Sequence, residues 1–384
     1  MGEQIYYLDH AAATPCDPRV IAAMQPYLHD VFFNPSASYE GGRVVRRALE
    51  TARDDIALVL GAKAHDIIFT AGATESINLA IDGILSSGGH AVISGVEHAA
   101  VRETVKRYPH SIASVDALGY TVPDAVIAEI TDETVLVSVA MADNEFGTVQ
   151  PLADIARTLD GVRSDRLSRG VKKPLYFHTD ASQGALSLNL KVSRLGVDML
   201  TLNAAKCYGP KQVGLLWLKS SVRLEPLIRG GGQERSLRSG TENVAGAVGF
   251  ALALQLAQRG RHTESERLTS MREQLVKLLE ESVAGIVIDG HPKRHLPGHI
   301  HMHVDGLDAE RVVFHLDNEN VYLATGAACA ANKATRSPSL EAVGLSPSEA
   351  DGSLRITLGH LNEADDIPHI AGAIADAIEQ ERKL

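Results

Sequence analysis

Two charged residues stand where apolar runs end. Asp180 closes LYFHTD, and Lys206 follows TLNAA 26 residues further on. That spacing is one strand–helix–strand step, so in a parallel sheet the two ends lie side by side over one crevice. A lysine amine placed there forms a Schiff base with a carbonyl, and a neighbouring carboxylate keeps a pyridine nitrogen protonated. Alone, Lys206 would be a strand-end ammonium reaching water and Asp180 a helix cap. The stretch FTAGATESINLAI supplies a third part. A strand ends, small residues turn the chain, and a helix opens at Thr74, Glu75 and Ser76. Free amides and the helix dipole at such a start favour a phosphate. Amine, carboxylate and phosphate cup together are the set that pyridoxal phosphate needs.

The elements that must position these groups are visible in the hydrophobic pattern. Apolar runs at Ile67–Thr70, His90–Ser94, Val135–Ala142, Leu175–Thr179, Val197–Leu202 and Val213–Leu218 alternate with helical patterns such as Gly42–Leu60 and Glu75–Ile84. Alternation of this kind predicts an α/β domain whose mostly parallel sheet is covered by helices on both sides. After a helical stretch at Val244–Gln258 the character changes. A charged amphipathic helix at Glu264–Val283 precedes short strands (Ile286–Ile288, His299–Val304, Val321–Ala324, Leu354–Leu358) and helices at Ala309–Asp317 and Ile367–Arg382. These predict a smaller α+β domain, with the boundary near residue 260.

Composition narrows the classes. The 384 residues are 45% apolar and 22% charged, with a net charge of −11 spread along the chain. No basic cluster invites nucleic acid, no run approaches the roughly 20 apolar residues of a membrane span, and the start resembles neither a signal nor a transit peptide. The three cysteines, Cys16, Cys207 and Cys329, show no disulfide or metal spacing, so the cytoplasm is the expected compartment. His299, His301 and His303 share one strand face. With no carboxylate or cysteine close by in sequence they read as a solvated face, and no metal is expected.

Nearly end to end, the chain resembles the cysteine desulfurases, in the class V aminotransferase group of fold-type I pyridoxal-phosphate enzymes. The resemblance runs through YLDHAAATPCDPRV, NPSASYEGG, IIFTAGATESINLAI, VEHAAV, DNEFGTVQPL, HTDASQG, NAAKCYGPKQVG, GGGQERSLRSGTEN, ATGAAC and SLRITLG. It implies a large cofactor-binding domain over 16–260 and a small domain formed by 1–15 with 261–384, carrying a catalytic cysteine loop. Lys206 would hold the cofactor as a Schiff base, Asp180 would pair with its ring nitrogen, and His98 would stack on the ring and move protons. Asn144 and Gln183 would hold the ring hydroxyl. Thr74 with the amide of Ala73, and Asn203, would hold the phosphate. Thr241 would reach the phosphate of a second subunit, which implies a homodimer. Asn144 and Arg355 would receive the carboxylate of L-cysteine. Cys329 would take the sulfur as a persulfide, releasing L-alanine, and pass it to an acceptor or iron–sulfur scaffold protein for cluster assembly or thio-modification. Two rival implications stand beside this one. A selenocysteine lyase or other β-eliminating relative would use the same cofactor without Cys329, and a catalytically degenerate member would only bind partners.

Some positions depart from the family pattern. Tyr39 stands where a histidine is common, and His360 where an arginine is. Before the lysine the family reads Ser-x-His-Lys, whereas here Asn203 and Ala205 occupy those places. Asn203 retains an N–H donor and Ala205 has none. One lost charge-assisted contact is worth about 1.5–3 kcal/mol, or roughly ten- to a hundredfold in affinity. Ala205→His is therefore expected to slow cofactor loss during dialysis, followed by absorbance, and an unchanged rate would count against a missing contact.

Overall fold

The computed structural model describes residues 4–326 and 336–383. Its largest sheet has seven strands, in the order Ile67–Thr70, Gly214–Leu218, Met199–Asn203, Tyr176–Asp180, Thr134–Ser138, His90–Ser94 and His110–Ala113. All neighbours pair parallel except Gly214–Leu218, which is antiparallel to both of its partners. Central strands such as Thr134–Ser138 and Gly214–Leu218 are buried along their whole length, as a sheet covered on both faces requires. One apolar cluster, containing Ile56, Leu60, Phe177, Leu202 and Phe250, fills one side. Another, around Ile77, Ile81, Val101 and Leu216, fills the other.

A second, antiparallel sheet runs Ala324–Thr325, Ser353–Thr357, His299–Val304, Ile286–Asp289. It has its own core, which includes Leu8, Leu275, Ile300, Val312, Ile356 and Ile374. The chain's beginning joins this layer: Tyr6–Tyr7 pairs parallel with Val321–Tyr322. Residue 260 falls inside one continuous helix, Val244–Ser282, where two separate helices were expected. No proline or glycine cluster interrupts it, and its first half packs on the large core while Leu268, Met271, Leu275 and Leu279 face the small one.

The three alternate histidines of His299–Val304 are buried rather than solvated. Asp289, on the adjacent strand, explains how burial of two of them is tolerated: Nδ1 of His301 donates to its carboxylate at 2.8 Å and Nδ1 of His303 at 2.9 Å. Among the described residues, no group of three or more His, Cys, Asp or Glu could hold a metal ion.

The turn ahead of helix Ala73–Leu85 is tightly packed from below. Gly72 caps the helix at φ +140°, a conformation that favours glycine. A Cβ on Gly214 would lie 2.5 Å from the carbonyl carbon of Gly72. Gly214→Ala is accordingly expected to lower stability by about 1–3 kcal/mol, read as a fall in the urea midpoint. An unchanged midpoint would mean that the turn can move aside.

Candidate active site

Strand ends deliver the two charges. Asp180 is the last residue of its strand and pairs with Thr201. Beyond Asn203 a short 3₁₀ turn, Ala204–Lys206, swings the lysine over the same edge. Asn203 caps that turn, its Oδ1 accepting from the Ala205 amide at 3.1 Å. The Lys206 Nζ donates to the carbonyls of Ala11 and Ala12, both at 2.6 Å. The segment supplying them is laced to the lysine turn: Thr14 donates through its amide and hydroxyl to the Ala205 carbonyl, and Asp17 donates to Tyr208. Cys207, next to the lysine, points into the large core, where burial pushes its thiol up to about 12. It is a packing residue.

A cavity of about 370 Å³ opens here, within the usual range for small-molecule sites. It is lined by Ala73, Thr74, His98, Asn144, Asp180, Gln183, Asn203, Lys206 and Arg355, with Asp9, Ala11 and Ser182 among the rest. These expected residues, drawn from many elements, therefore meet in one place. Thr241 is exposed and does not line the cavity. Cys329 lies outside the described residues.

His98 caps the helix Ala99–Val105, its Nδ1 accepting from the Ala100 amide at 3.0 Å. In the neutral ring this leaves the proton on Nε2. Burial lowers the affinity of His98 for a second proton, as does Lys206, against the opposing pull of Asp180. Gln183 donates to the Ala11 carbonyl at 3.1 Å. Arg355 is 2% exposed. Its Nη2 meets Asp9 at 2.6 Å and its Nη1 donates to the Asn144 carbonyl at 3.2 Å, so the guanidinium sits at the cavity wall with its fork already oriented. Asp9 is a site residue that sequence reasoning did not single out. It lies within the YLDHAAATP stretch, but its partner is 346 residues away, beyond any local spacing.

Three further acids stand behind the wall and also escaped that reasoning. Glu97 precedes His98, while Asp143 and Glu145 flank Asn144. Burial drives Glu97 and Glu145 up to about 8 and raises Asp143 as well. Glu97 accepts from the Ala140 amide at 2.6 Å through one oxygen, and the other has no partner among the described residues.

The donor set fits pyridoxal phosphate. A carboxylate, an amine, an imidazole and amide side chains converge on a space of suitable size, and the first turn of a helix opens onto it at Ala73 and Thr74, where main-chain amides lack helical partners.

Comparison with known proteins agrees. Residues 6–370 match the family model described as Aminotransferase class-V. A relative named cysteine desulfurase IscS, from Dictyoglomus turgidum, is 36% identical, spanning 98% of this chain and 95% of that protein. Cysteine desulfurase IscS 1 of Archaeoglobus fulgidus is 34% identical over 98% of each. Among solved structures, a NifS-like protein superposes with a TM-score of 0.88 at 28% identity, covering 98% of this chain and all of the other. Another, described as SspA in complex with cysteine, reaches 0.79 at 31% identity over 92% of this chain and 99% of the other. The chain belongs to the class-V aminotransferase family, in its cysteine desulfurase group.

The Glu97 carboxyl titrates near 4.5 in an open chain and near 8 in the fold. Its neutral form is thus favoured by folding, a contribution fully present below about pH 4.5 and lost as pH rises through about 8. Glu97→Gln fixes a neutral group. It is expected to flatten the decline in stability between about pH 5 and about pH 8, leaving the variant relatively more stable at the upper end. Parallel urea curves for both proteins across that window would contradict a buried neutral acid.

Proposed function

We propose that this protein is a pyridoxal-phosphate-dependent cysteine desulfurase that takes sulfur from L-cysteine. The observation that carries the reading is the single cavity uniting Lys206, Asp180, His98, Asn144, Gln183 and Arg355 over the strand ends. Bound there, the cofactor supplies an electron sink for charge that develops at the substrate Cα. Asp180 would hold the ring-nitrogen proton, and the amides at Ala73 and Thr74 would hold the phosphate. Arg355 and Asn144 receive the substrate carboxylate, with Asp9 keeping the guanidinium in plane. Because Nδ1 of His98 is occupied by the Ala100 amide, the neutral ring offers an N–H and no free lone pair. Removal of the Cα proton therefore falls to Lys206 Nζ, and His98 orients by stacking and donating. The thiolate of Cys329 attacks the substrate sulfur, and the S–Cβ bond breaks. A Cys329 persulfide forms and L-alanine leaves once protons return to its Cβ and Cα.

The same reading takes 16–260 as the large domain and 1–15 with 261–384 as the small one. It makes the protein a homodimer. The exposed place of Thr241, away from its own cavity, supports that assignment, as do the exposed apolar side chains of Leu28, Phe32 and Tyr39. The persulfide passes to an acceptor or iron–sulfur scaffold protein. No helix among the described residues is long and apolar enough to cross a membrane, and the sparse cysteines, with Cys16 and Cys207 unpaired among the described residues, support a reducing compartment such as the cytoplasm.

Purified protein is expected to be yellow, to form L-alanine from L-cysteine, and to gain one sulfur atom on the peptide carrying Cys329. Cys329→Ser should cut alanine formation by roughly a thousandfold or more with the colour retained. Persistence of turnover in that variant would favour a lyase, and a colourless protein unable to take up the cofactor would favour a degenerate binder.

A further inference from the structure

Glu75 stands in the first turn of the helix Ala73–Leu85, next to the amides assigned to the phosphate. A carboxylate at a helix start is favourable by itself. Beside a bound phosphate dianion it is a like charge and repels. Glu75 is not bare, however. One oxygen accepts from the Ala71 amide at 3.1 Å, which draws the carboxylate back over the turn. The other accepts from Nε of Arg238 at 2.9 Å. The two side chains are only 17% and 24% exposed, so the pair is less screened than a surface ion pair.

Arg238 arrives on a segment whose backbone is constrained. Glu234, Arg235 and Ser236 have φ of +46°, +59° and +62°, values that non-glycine residues adopt only when their surroundings enforce them. The enforcement is visible. The buried Glu234 carboxylate accepts from both Nη atoms of Arg53, at 2.8 and 2.7 Å, and from the Phe69 amide at 2.8 Å. Gly232 donates to the Ser239 hydroxyl and Gly240 to the Gln233 side chain, closing the loop on itself. Phe69 lies in the strand Ile67–Thr70, which runs directly into the phosphate turn. The loop thus grips the cup from both sides: Glu234 holds the strand that enters it, and Arg238 holds the helix that leaves it.

We propose that Arg238 is a positioning residue for the cofactor phosphate. By neutralising Glu75 and holding its carboxylate back over the turn, it makes the first turn of Ala73–Leu85 receptive to a dianion. The inference rests on the cofactor reading above and assigns Arg238 no contact with the phosphate itself. It also gives the 228–241 segment a duty toward its own subunit's cup, besides the one proposed for Thr241 toward a second subunit.

Full-length wild type, Arg238→Ala, Glu75→Gln and the double variant are to be titrated with pyridoxal phosphate and with pyridoxal, which lacks the phosphate. The readout is Schiff-base absorbance, and the titrations are run at low and high salt. Arg238→Ala should weaken pyridoxal phosphate by roughly tenfold and change pyridoxal by no more than about twofold, with the difference shrinking at high salt. Glu75→Gln alone should bind pyridoxal phosphate at least as well as wild type, and the double variant should recover most of the loss. Equal weakening of both ligands would mean that Arg238 only supports the fold, and the proposal would be wrong. Unchanged pyridoxal phosphate binding in Arg238→Ala, or no recovery in the double variant, would also overturn it. Failure of wild type itself to form a Schiff base with either ligand would instead sink the cofactor reading, and this inference with it.

Discussion

The position of one half-buried ammonium organises the molecule. Lys206 is carried to the sheet edge by its own strand, but two of its hydrogen bonds come from elsewhere, from the carbonyls of Ala11 and Ala12. A buried cation without such partners would be costly. The carbonyls are in place because the first residues of the chain are anchored on both sides. Thr14 and Asp17 bond to the lysine turn. The Thr357 amide donates to the Leu8 carbonyl, and Asp9 pairs with Arg355 on the small sheet. The Lys206 ammonium therefore marks the seam where two cores meet, and neither layer alone would hold it.

Electrostatics at this seam depend on which acids are charged. Asp143 and Glu145 flank Asn144 and are buried, and both carboxyl oxygens of Glu145 lie within hydrogen-bond distance of the Ser337 hydroxyl, at 2.7 and 2.6 Å. Burial raises both acids and also Glu97. Were all three ionised, Arg355 would face a surplus of negative charge from behind the wall, and a substrate carboxylate would compete with it. Burial opposes that build-up of charge, and Asp9 is the carboxylate bonded to the guanidinium. The same burial that raises those acids also disfavours a second proton on His98, so one physical cause acts in the same sense on the acids and on the imidazole.

Much of this was legible in the sequence because it is local. Strands His90–Ser94 and Ile67–Thr70 follow the apolar runs residue for residue, since a buried strand needs nothing beyond such a run and a turn. Asp180 and Lys206 were legible because sheet topology converts sequence spacing into adjacency. What escaped depends on contacts between distant segments. The face carrying His299, His301 and His303 looked solvated because Asp289 lies on another strand, and Asp9 had no local sign of Arg355. The break expected near residue 260 was inferred from a change in composition. Composition changed because the helix Val244–Ser282 exchanges one core for another along its length, and helical hydrogen bonding is indifferent to that exchange.

The proposed phosphate cup would be a familiar site rebuilt from less. Ala205 offers no side-chain donor, and Asn203, whose Oδ1 caps its own turn, keeps only its Nδ2 donor. Much of what remains is main chain: the first amides of Ala73–Leu85, a glycine turn at φ +140°, and Gly214 packed against it. Main-chain donors cannot reorient as side chains do, so a cup made of them works only if strand, turn and helix are rigidly fixed. Two buried or half-buried ion pairs, Arg53 with Glu234 and Arg238 with Glu75, sit where that rigidity is needed. A loop backbone strained at three consecutive residues is intelligible on those terms, because it sets two charged side chains of one segment against the two elements whose relative placement defines the cup.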